Sequence, residues 1–349
     1  MNTTGDARIL EVDDLVVRYP VARGLVGTLA RRPKQQVHAV EGVSFTLRRG
    51  EMLALVGESG CGKTTTAQAV LRLVDADAGT ITLQGQDISK TPRGQLRGLR
   101  RRVQIIYQDP YESLDPRFTV RRTVEEPMKI HKIGGDESER RERVAAALAR
   151  VGLEPPDLFL ERYPHELSGG QRQRVVVAAS LVLEPELLVA DEPVSMLDVS
   201  VRAGVLELFD ALRRSGLAIL MITHDLSTAA HYADRIAVMY LGRIVEEGPA
   251  KEVVNDPQHP YTKALMSVIP DADPRKRRTA QILSGETPNP VTVPPGCRFH
   301  PRCPLVASGR ALEVGMEERC RGEDLGLAEV LPGHFAACHL AAPAQVSGA

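Results

Sequence analysis

Gly57-Glu58-Ser59-Gly60-Cys61-Gly62-Lys63-Thr64, with Thr65 next, sets a lysine and hydroxyls directly after three closely spaced glycines. The spacing is G-x-x-x-x-G-K-[ST], and it lies between the apolar run Leu53–Val56 and a helical pattern from Lys63 to Val74. Glycines let backbone N–H groups curl around phosphate oxygens, and the following helix turns its positive end toward the anion. Lys63 is then placed for the β- and γ-phosphates and the Thr64 hydroxyl for Mg²⁺. A nucleoside triphosphate is the ligand this implies. Cys61 has no thiol neighbour in the sequence and reads as a small side chain that the loop tolerates.

A second set of groups would act on that ligand. Leu187-Leu-Val-Ala190 runs into Asp191 and Glu192. Asp191 can hold Mg²⁺ through water, and Glu192 can polarise an attacking water as general base. An apolar strand ending in two carboxylates is ordinary alone; together with the phosphate loop it points to hydrolysis. Ser168-Gly169-Gly170-Gln171 opens a helix about 20 residues earlier, with Ser168 resembling an N-cap and the N–H groups behind it forming a second anion site.

These groups need a scaffold that presents strand ends. Leu53–Val56, Val103–Tyr107, Leu187–Ala190, Leu217–Ile222 and Ile236–Met239 are strand-length and almost wholly apolar. Such runs suit strands covered on both faces, hence a parallel sheet in an α/β domain. Helical periodicity covers Lys63–Val74, Ser138–Val151, Gln171–Leu183 and Val201–Arg214, the last with Val201, Val205, Leu208 and Leu212 on one face. Residues 109–167 carry helical pattern without a strand and read as an inserted helical subdomain. From Asp256 onward the texture changes, through DPQHPYTKAL, DADPRKRR and TPNPVTVPPG, into a loop-rich segment; the final AAPAQVSGA reads as disordered.

The string LSGGQRQR matches the signature of ABC ATPases, and the other motifs follow in that family's order. Gln108 in IIYQDP resembles the Q-loop, Ser195-Met-Leu-Asp198 the D-loop, and His224 in ITHD the switch histidine. QDPYESLDPR, VADEPVSMLDVSVRAGVL and the terminal GCRFHPRCP…AACH narrow the resemblance to the ATPase subunits of oligopeptide/dipeptide (peptide/nickel) importers. The implied fold is an α/β P-loop NTPase core over residues 1–250, with a helical subdomain at about 109–170. A linker and a Cys-rich extension over 251–349 follow. The resemblance implies catalytic roles for Glu192, His224, Gln108 and Lys63, with Thr64, Gln108 and Asp191 around Mg²⁺. Tyr19 in VVRYP resembles the aromatic that stacks on adenine. A head-to-tail dimer is implied, each ATP lying between Lys63, Thr64, Asp191 and Glu192 of one subunit and Ser168 and Gly170 of a second, paralogous ATPase subunit; Gly169, Gln171 and Asp198 are further implied nucleotide-binding residues. One copy each of loop and signature points the same way. The implied partners are two transmembrane permease subunits and, indirectly, a substrate-binding protein, at the cytoplasmic side of the membrane.

Composition agrees with this setting. The 349 residues carry 44 Lys+Arg against 45 Asp+Glu, which argues against a protein held to nucleic acid by phosphate attraction. Arg97 with Arg100–Arg102, Arg31 with Arg32 and Lys34, and Arg275–Arg278 read as solvated basic faces. No apolar run approaches the roughly 18–20 residues that cross a bilayer, and the N-terminus reads as no secretory signal. The protein is therefore expected in the cytosol, peripheral to the membrane. Nickel or glutathione import is the alternative cargo. A repair or translation ATPase fits less well, because only 45 positions separate Lys63 from Gln108 and there is one core; intact Glu192 and His224 argue against a regulatory module with structural nucleotide.

Four of the five cysteines, Cys297, Cys303, Cys320 and Cys338, crowd into the last 53 residues as C-x5-C-x16-C-x17-C. In a reducing cytosol such a cluster more often means metal than disulfide. Zinc, an iron–sulfur cluster and plain packing of small apolar side chains all remain open. The absence of C-x2–4-C knuckles and the Cys303-Pro304 pair lean toward iron. The family resemblance implies a [4Fe–4S] cluster, with His300, His334 and His339 near enough in sequence to replace a ligand. Distance from the phosphate loop in sequence suggests a role in folding or assembly.

Overall fold

The structure is a computed structural model describing residues 7–21, 35–268, 281 and 283–341. The basic groups at 31–34 and 275–278 and residues 342–349 of the tail lie outside the described residues. In chain order the elements are β1 (Arg8–Pro20), β2 (Gln36–Arg48), β3 (Met52–Val56), α1 (Lys63–Val70), β4 (Ala78–Leu83), β5 (Gln86–Asp87), α2 (Leu96–Arg102) and β6 (Val103–Ile106). There follow α3 (Val120–His131), α4 (Glu137–Arg150), α5 (Gly169–Leu181), β7 (Leu187–Asp191), α6 (Val199–Arg214), β8 (Ala218–Thr223) and α7 (Leu226–Tyr232). The last are β9 (Arg235–Tyr240), β10 (Arg243–Pro249), α8 (Ala250–Asn255), α9 (Pro260–Ser267), β11 (Ala328–Leu331) and β12 (His334–Ala336), with three short helices between Pro304 and Gly322.

The chain divides into two compact units. The first comprises Met1–Leu10, Thr46–Met52 and Thr82–Ile222; the second comprises Glu11–Phe45, Leu53–Ile81 and Thr223–Ala349.

In the first unit β6, β7 and β8 lie side by side and parallel, Val103 opposite Leu187 and Leu187 opposite Ala218. Every residue of β7 and β8 is buried, which is why these strands show no polar alternation. Residues 109–167 hold helices and turns and no strand. Thr119 caps α3 by accepting from Arg122 N–H, and Asp136 caps α4 by accepting from Glu139 N–H at 2.8 Å. The helices α3, α4 and α5 pack on one another. On α3 the buried Glu125 is paired with Arg140 of α4 at 2.8 Å and with Lys129 of its own helix at 3.0 Å. Val205, Leu208 and Leu212 of α6 are buried as the helical spacing predicts, whereas Val201 is only half-buried.

In the second unit β3 runs parallel to β9, with Leu53 opposite Arg235. The antiparallel β10 follows, then β12, with Glu246 opposite Ala336, then β11. The C-terminal segment thus adds two strands to the β9–β10 sheet. Tyr240, Tyr261 and Phe299, all fully buried, meet with ring centroids 4.8–5.4 Å apart. His334 and Glu246, both without exposure, are bonded Nε2 to Oε1 at 2.7 Å.

A further sheet has the order β2-β1-β4-β5, and sequence periodicity had not singled out these strands. The helix expected to reach Val74 stops at Val70. Leu73 N–H donates to Gln68 C=O and Arg72 N–H to Ala69 C=O, with Arg72 left-handed at φ 54°. This is a Schellman turn in which arginine takes the place usually given to glycine.

Candidate nucleotide site

The phosphate loop belongs to the second unit. Its shape depends on Gly57, at φ 155°, where an added Cβ would lie 2.2 Å from Met239 O and 2.8 Å from Cys61 Sγ. Ser59, Gly60 and Thr64 are exposed on the loop's open side. Lys63 is 6% exposed, its Nζ donating to Gly57 O at 2.8 Å and Glu58 O at 3.0 Å. Cys61 is buried, and burial pushes its thiol up against the opposing pull of Lys63. A thiol raised in this way is chemically quiet, in keeping with a tolerated small residue.

The carboxylates, the signature and Gln108 belong to the first unit. Asp191 closes β7 and is 8% exposed. Glu192 follows in left-handed backbone, φ 48°, with its N–H held by Ile222 O at 2.9 Å. A non-glycine residue there is strained by roughly 1–3 kcal/mol, a cost that surrounding bonds must offset. Ser195 supplies two of them, its N–H and Oγ both donating to Glu192 O. Gln108 Nε2 donates to Glu192 Oε2 at 3.3 Å, so two residues 84 positions apart meet at one carboxylate. Arg202 holds the turn before α6 by donating to Leu197 O at 2.8 Å and Ser195 O at 3.3 Å. That turn leaves Met196 59% and Val199 81% exposed, and Asp198 stands at the N-cap of α6.

Ser168 is the N-cap of α5. Its Oγ accepts from Gln171 N–H at 3.3 Å while Gln171 Oε1 accepts from Ser168 N–H at 3.0 Å, a reciprocal capping box. At Gly170 an added Cβ would sit 2.4 Å from Val201 Cγ1, so a larger residue there requires Val201 to shift.

His224 follows β8 and, with half-buried Tyr19 near the end of β1, belongs to the second unit. Asp225 next to it caps α7, accepting from Ser227 N–H at 2.9 Å; burial raises its carboxyl, but bonds from Ser227 and Thr228 outweigh this and lower it.

Cys297, Cys303, Cys320 and Cys338 line one pocket with His259, Phe299, His300 and His339. Burial pushes all four thiols up, Cys297 to about 12, where the charges of the other three add to the effect. Among the described residues no group of three or more His, Cys, Asp or Glu is arranged to hold a metal ion. A tetrahedral zinc needs four donors about 2.0–2.3 Å from one point, so the expected metal centre is not formed by these residues as they stand. His334 lies apart from that pocket, taken by Glu246. The C-terminal segment, far from the phosphate loop in sequence, reaches it in space: Tyr261, Thr287 and Arg302 all bond to Glu58. Tyr261, Thr287 and Arg302 lie within the strings DPQHPYTKAL, TPNPVTVPPG and GCRFHPRCP, but nothing in those strings ties them to Glu58.

A strand–loop–helix phosphate site and a strand-end carboxylate pair define a P-loop ATPase. Residues 40–195 match the ABC transporter family model, and residues 245–309 match the oligopeptide/dipeptide transporter C-terminal region. The chain is 43% identical to the oligopeptide transport ATP-binding protein AppF of Bacillus subtilis, over 97% of this chain and 99% of that one. It is 50% identical to the glutathione import ATP-binding protein GsiA of Pectobacterium atrosepticum, over 81% of this chain and 45% of the relative. The structure of cbiO1 from Clostridium perfringens, part of the ABC transporter complex cbiONQ, superposes with TM-score 0.61 at 30% identity, covering 72% of this chain and 92% of that one. The chain belongs to the ATP-binding proteins of ABC transporters, and it is an ATPase of that family.

Proposed function

We propose that this ATPase energises an importer of oligopeptides or dipeptides from the cytoplasmic side of the membrane. The observation that carries this reading is the match of residues 245–309 to the oligopeptide/dipeptide transporter C-terminal region, alongside near-complete alignment with AppF. Among the described residues no helix is long and apolar enough to cross a membrane; in this reading the transport path belongs to permease subunits. Two such subunits, fed by a substrate-binding protein, complete the complex. The identity to GsiA supports a glutathione-like cargo as the second reading. ATP hydrolysis by the assembled complex, stimulated by binding protein loaded with di- or oligopeptide, tests the first; stimulation by glutathione alone would replace it.

In this reading residues 1–250 form the ATPase domain, with the helical subdomain at about 109–170, and 251–349 the linker and extension. The site comprises Lys63, Thr64 and the loop from Gly57 to Thr65, Asp191 and Gln108 toward Mg²⁺, Glu192 as general base and His224 as switch. Tyr19 lies against adenine. Ser168, Gly169, Gly170, Gln171 and Asp198 serve the ATP of a second ATPase subunit in a head-to-tail dimer. The single phosphate loop and single signature of this chain support that arrangement. Ser168→Arg should then depress hydrolysis at the partner's phosphate loop while this chain still binds ATP, and cost about 1 kcal/mol of helix capping. Site-specific hydrolysis in mixed complexes checks it; full, cargo-independent activity from a purified monomer would sink the dimer.

The thiol pocket is proposed to hold a [4Fe–4S] cluster through Cys297, Cys303, Cys320 and Cys338. What supports this is the donor set: four thiols line one pocket and are costly to ionise alone. When bound, the cluster would cross-link segments of the extension. Anaerobic purification should give brown protein absorbing near 400 nm (roughly, for thiolate-ligated iron). Colourless protein with stoichiometric zinc would overturn the cluster, and Cys→Ser variants of unchanged stability and transport would remove the metal.

A further inference from the structure

Glu58 puts a negative charge into a loop whose task is to bind an anion. Left alone it would oppose a triphosphate, since like charges a few ångströms apart repel even through water. The second unit answers it from the C-terminal segment. Arg302 Nη1 donates to Glu58 Oε2 at 2.9 Å and Nη2 to Oε1 at 3.3 Å, a two-pronged grip. Thr287 Oγ1 donates to Oε2 at 2.9 Å and also accepts from Arg302 Nη1 at 3.3 Å. Tyr261 Oη accepts from Glu58 N–H at 2.9 Å, and Glu58 C=O accepts from Lys63 Nζ. Glu58 is therefore fixed on its side chain, its amide and its carbonyl at once. Arg302 is only 9% exposed and lies 5.9 Å from the centroid of the Tyr240 ring, inside the aromatic cluster that anchors the segment.

We propose that Arg302 is a positioning residue for ATP binding. It cancels the charge of Glu58 and holds that side chain back from the phosphates, so the affinity of the loop is set from the C-terminal segment. This role presupposes that the loop binds nucleotide, which Lys63→Ala tests separately. Two features distinguish it from plain structural support. First, a charge mismatch can be repaired by removing the other charge. Second, the effect falls on nucleotide affinity and KM, and leaves kcat at saturating ATP alone.

The test uses the purified full-length chain with Mg²⁺ and a fluorescent N-methylanthraniloyl ATP. Binding by the wild type that Lys63→Ala abolishes establishes the site. Arg302→Gln should then weaken binding by about tenfold, Arg302→Lys by less, and Glu58→Gln in the Arg302→Gln background should recover to within about threefold of wild type. The Arg302→Gln loss should shrink in high salt as charge repulsion is screened. In the assembled complex KM for ATP rises while kcat holds. If Arg302→Gln does not fold, Thr287→Val keeps the arginine and removes one donor; it should weaken binding by about two- to threefold. Affinity unchanged in folded Arg302→Gln, or in Thr287→Val, would overturn the proposal. So would a double variant as weak as Arg302→Gln alone, since that is the mark of a structural contact.

Discussion

Glu192→Gln will bind ATP and fail to hydrolyse it, lowering kcat by about 10²–10⁴-fold, the range a positioned general base contributes. The substitution keeps the shape of the side chain and its left-handed backbone, so the ligand pocket is left intact. It removes the carboxylate oxygen that accepts from Gln108 Nε2 at 3.3 Å. An amide in that place can still accept through its carbonyl, and holds Gln108, but it cannot take a proton from water. In the assembled complex the result is an ATP-locked dimer, visible by size-exclusion chromatography with radiolabelled ATP retained. Turnover near the wild-type rate would show that another group takes the proton.

Lys63→Ala should weaken ATP binding by about a hundredfold or more, because two charge-assisted bonds at roughly 1.5–3 kcal/mol each are removed. The loss has two sources. The cation for the β- and γ-phosphates goes, and so do the bonds from Nζ to Gly57 O and Glu58 O that tie the loop. Titration with nucleotide measures the first. The unfolding midpoint without ligand measures the second, being lower in the variant; added ATP should raise the midpoint of the wild type far more than that of the variant, because a ligand stabilises only what it binds. Affinity within about fivefold of wild type would move the phosphate contact to another residue.

Much of the catalytic apparatus is written locally. A G-x-x-x-x-G-K-T run, an apolar strand ended by Asp191 and Glu192, and a Ser168 cap are readable because each works through neighbours within a few positions. Strands buried on both faces, β7 and β8, announce themselves by continuous apolarity. The β2-β1-β4-β5 sheet is not legible, because its strands mix charged and apolar residues, as in RILEVDDLVVRYP of β1. The early stop of α1 was missed because Arg72 supplies the left-handed residue where a glycine would have been the signal. Least legible is the grip on Glu58. Tyr261, Thr287 and Arg302 lie 203, 229 and 244 positions away, and nothing in their local sequence says that they meet there.

The pairing of β3 with β9 has a consequence for how the protein is made. Leu53, on the strand that leads into the phosphate loop, lies opposite Arg235. Ribosomes add roughly 5–20 residues per second, so about 180 intervening residues separate the emergence of the two strands by about 10–35 s. A nascent chain halted at residue 222 carries the phosphate-loop strand without its partner from the second unit, while β6, β7 and β8 of the first are nearly complete. The nucleotide loop is thus synthesised well before the strand that flanks it on one side. Until β9 emerges, the fully apolar β3 lacks the partner that covers one of its edges, the kind of surface chaperones exist to shield.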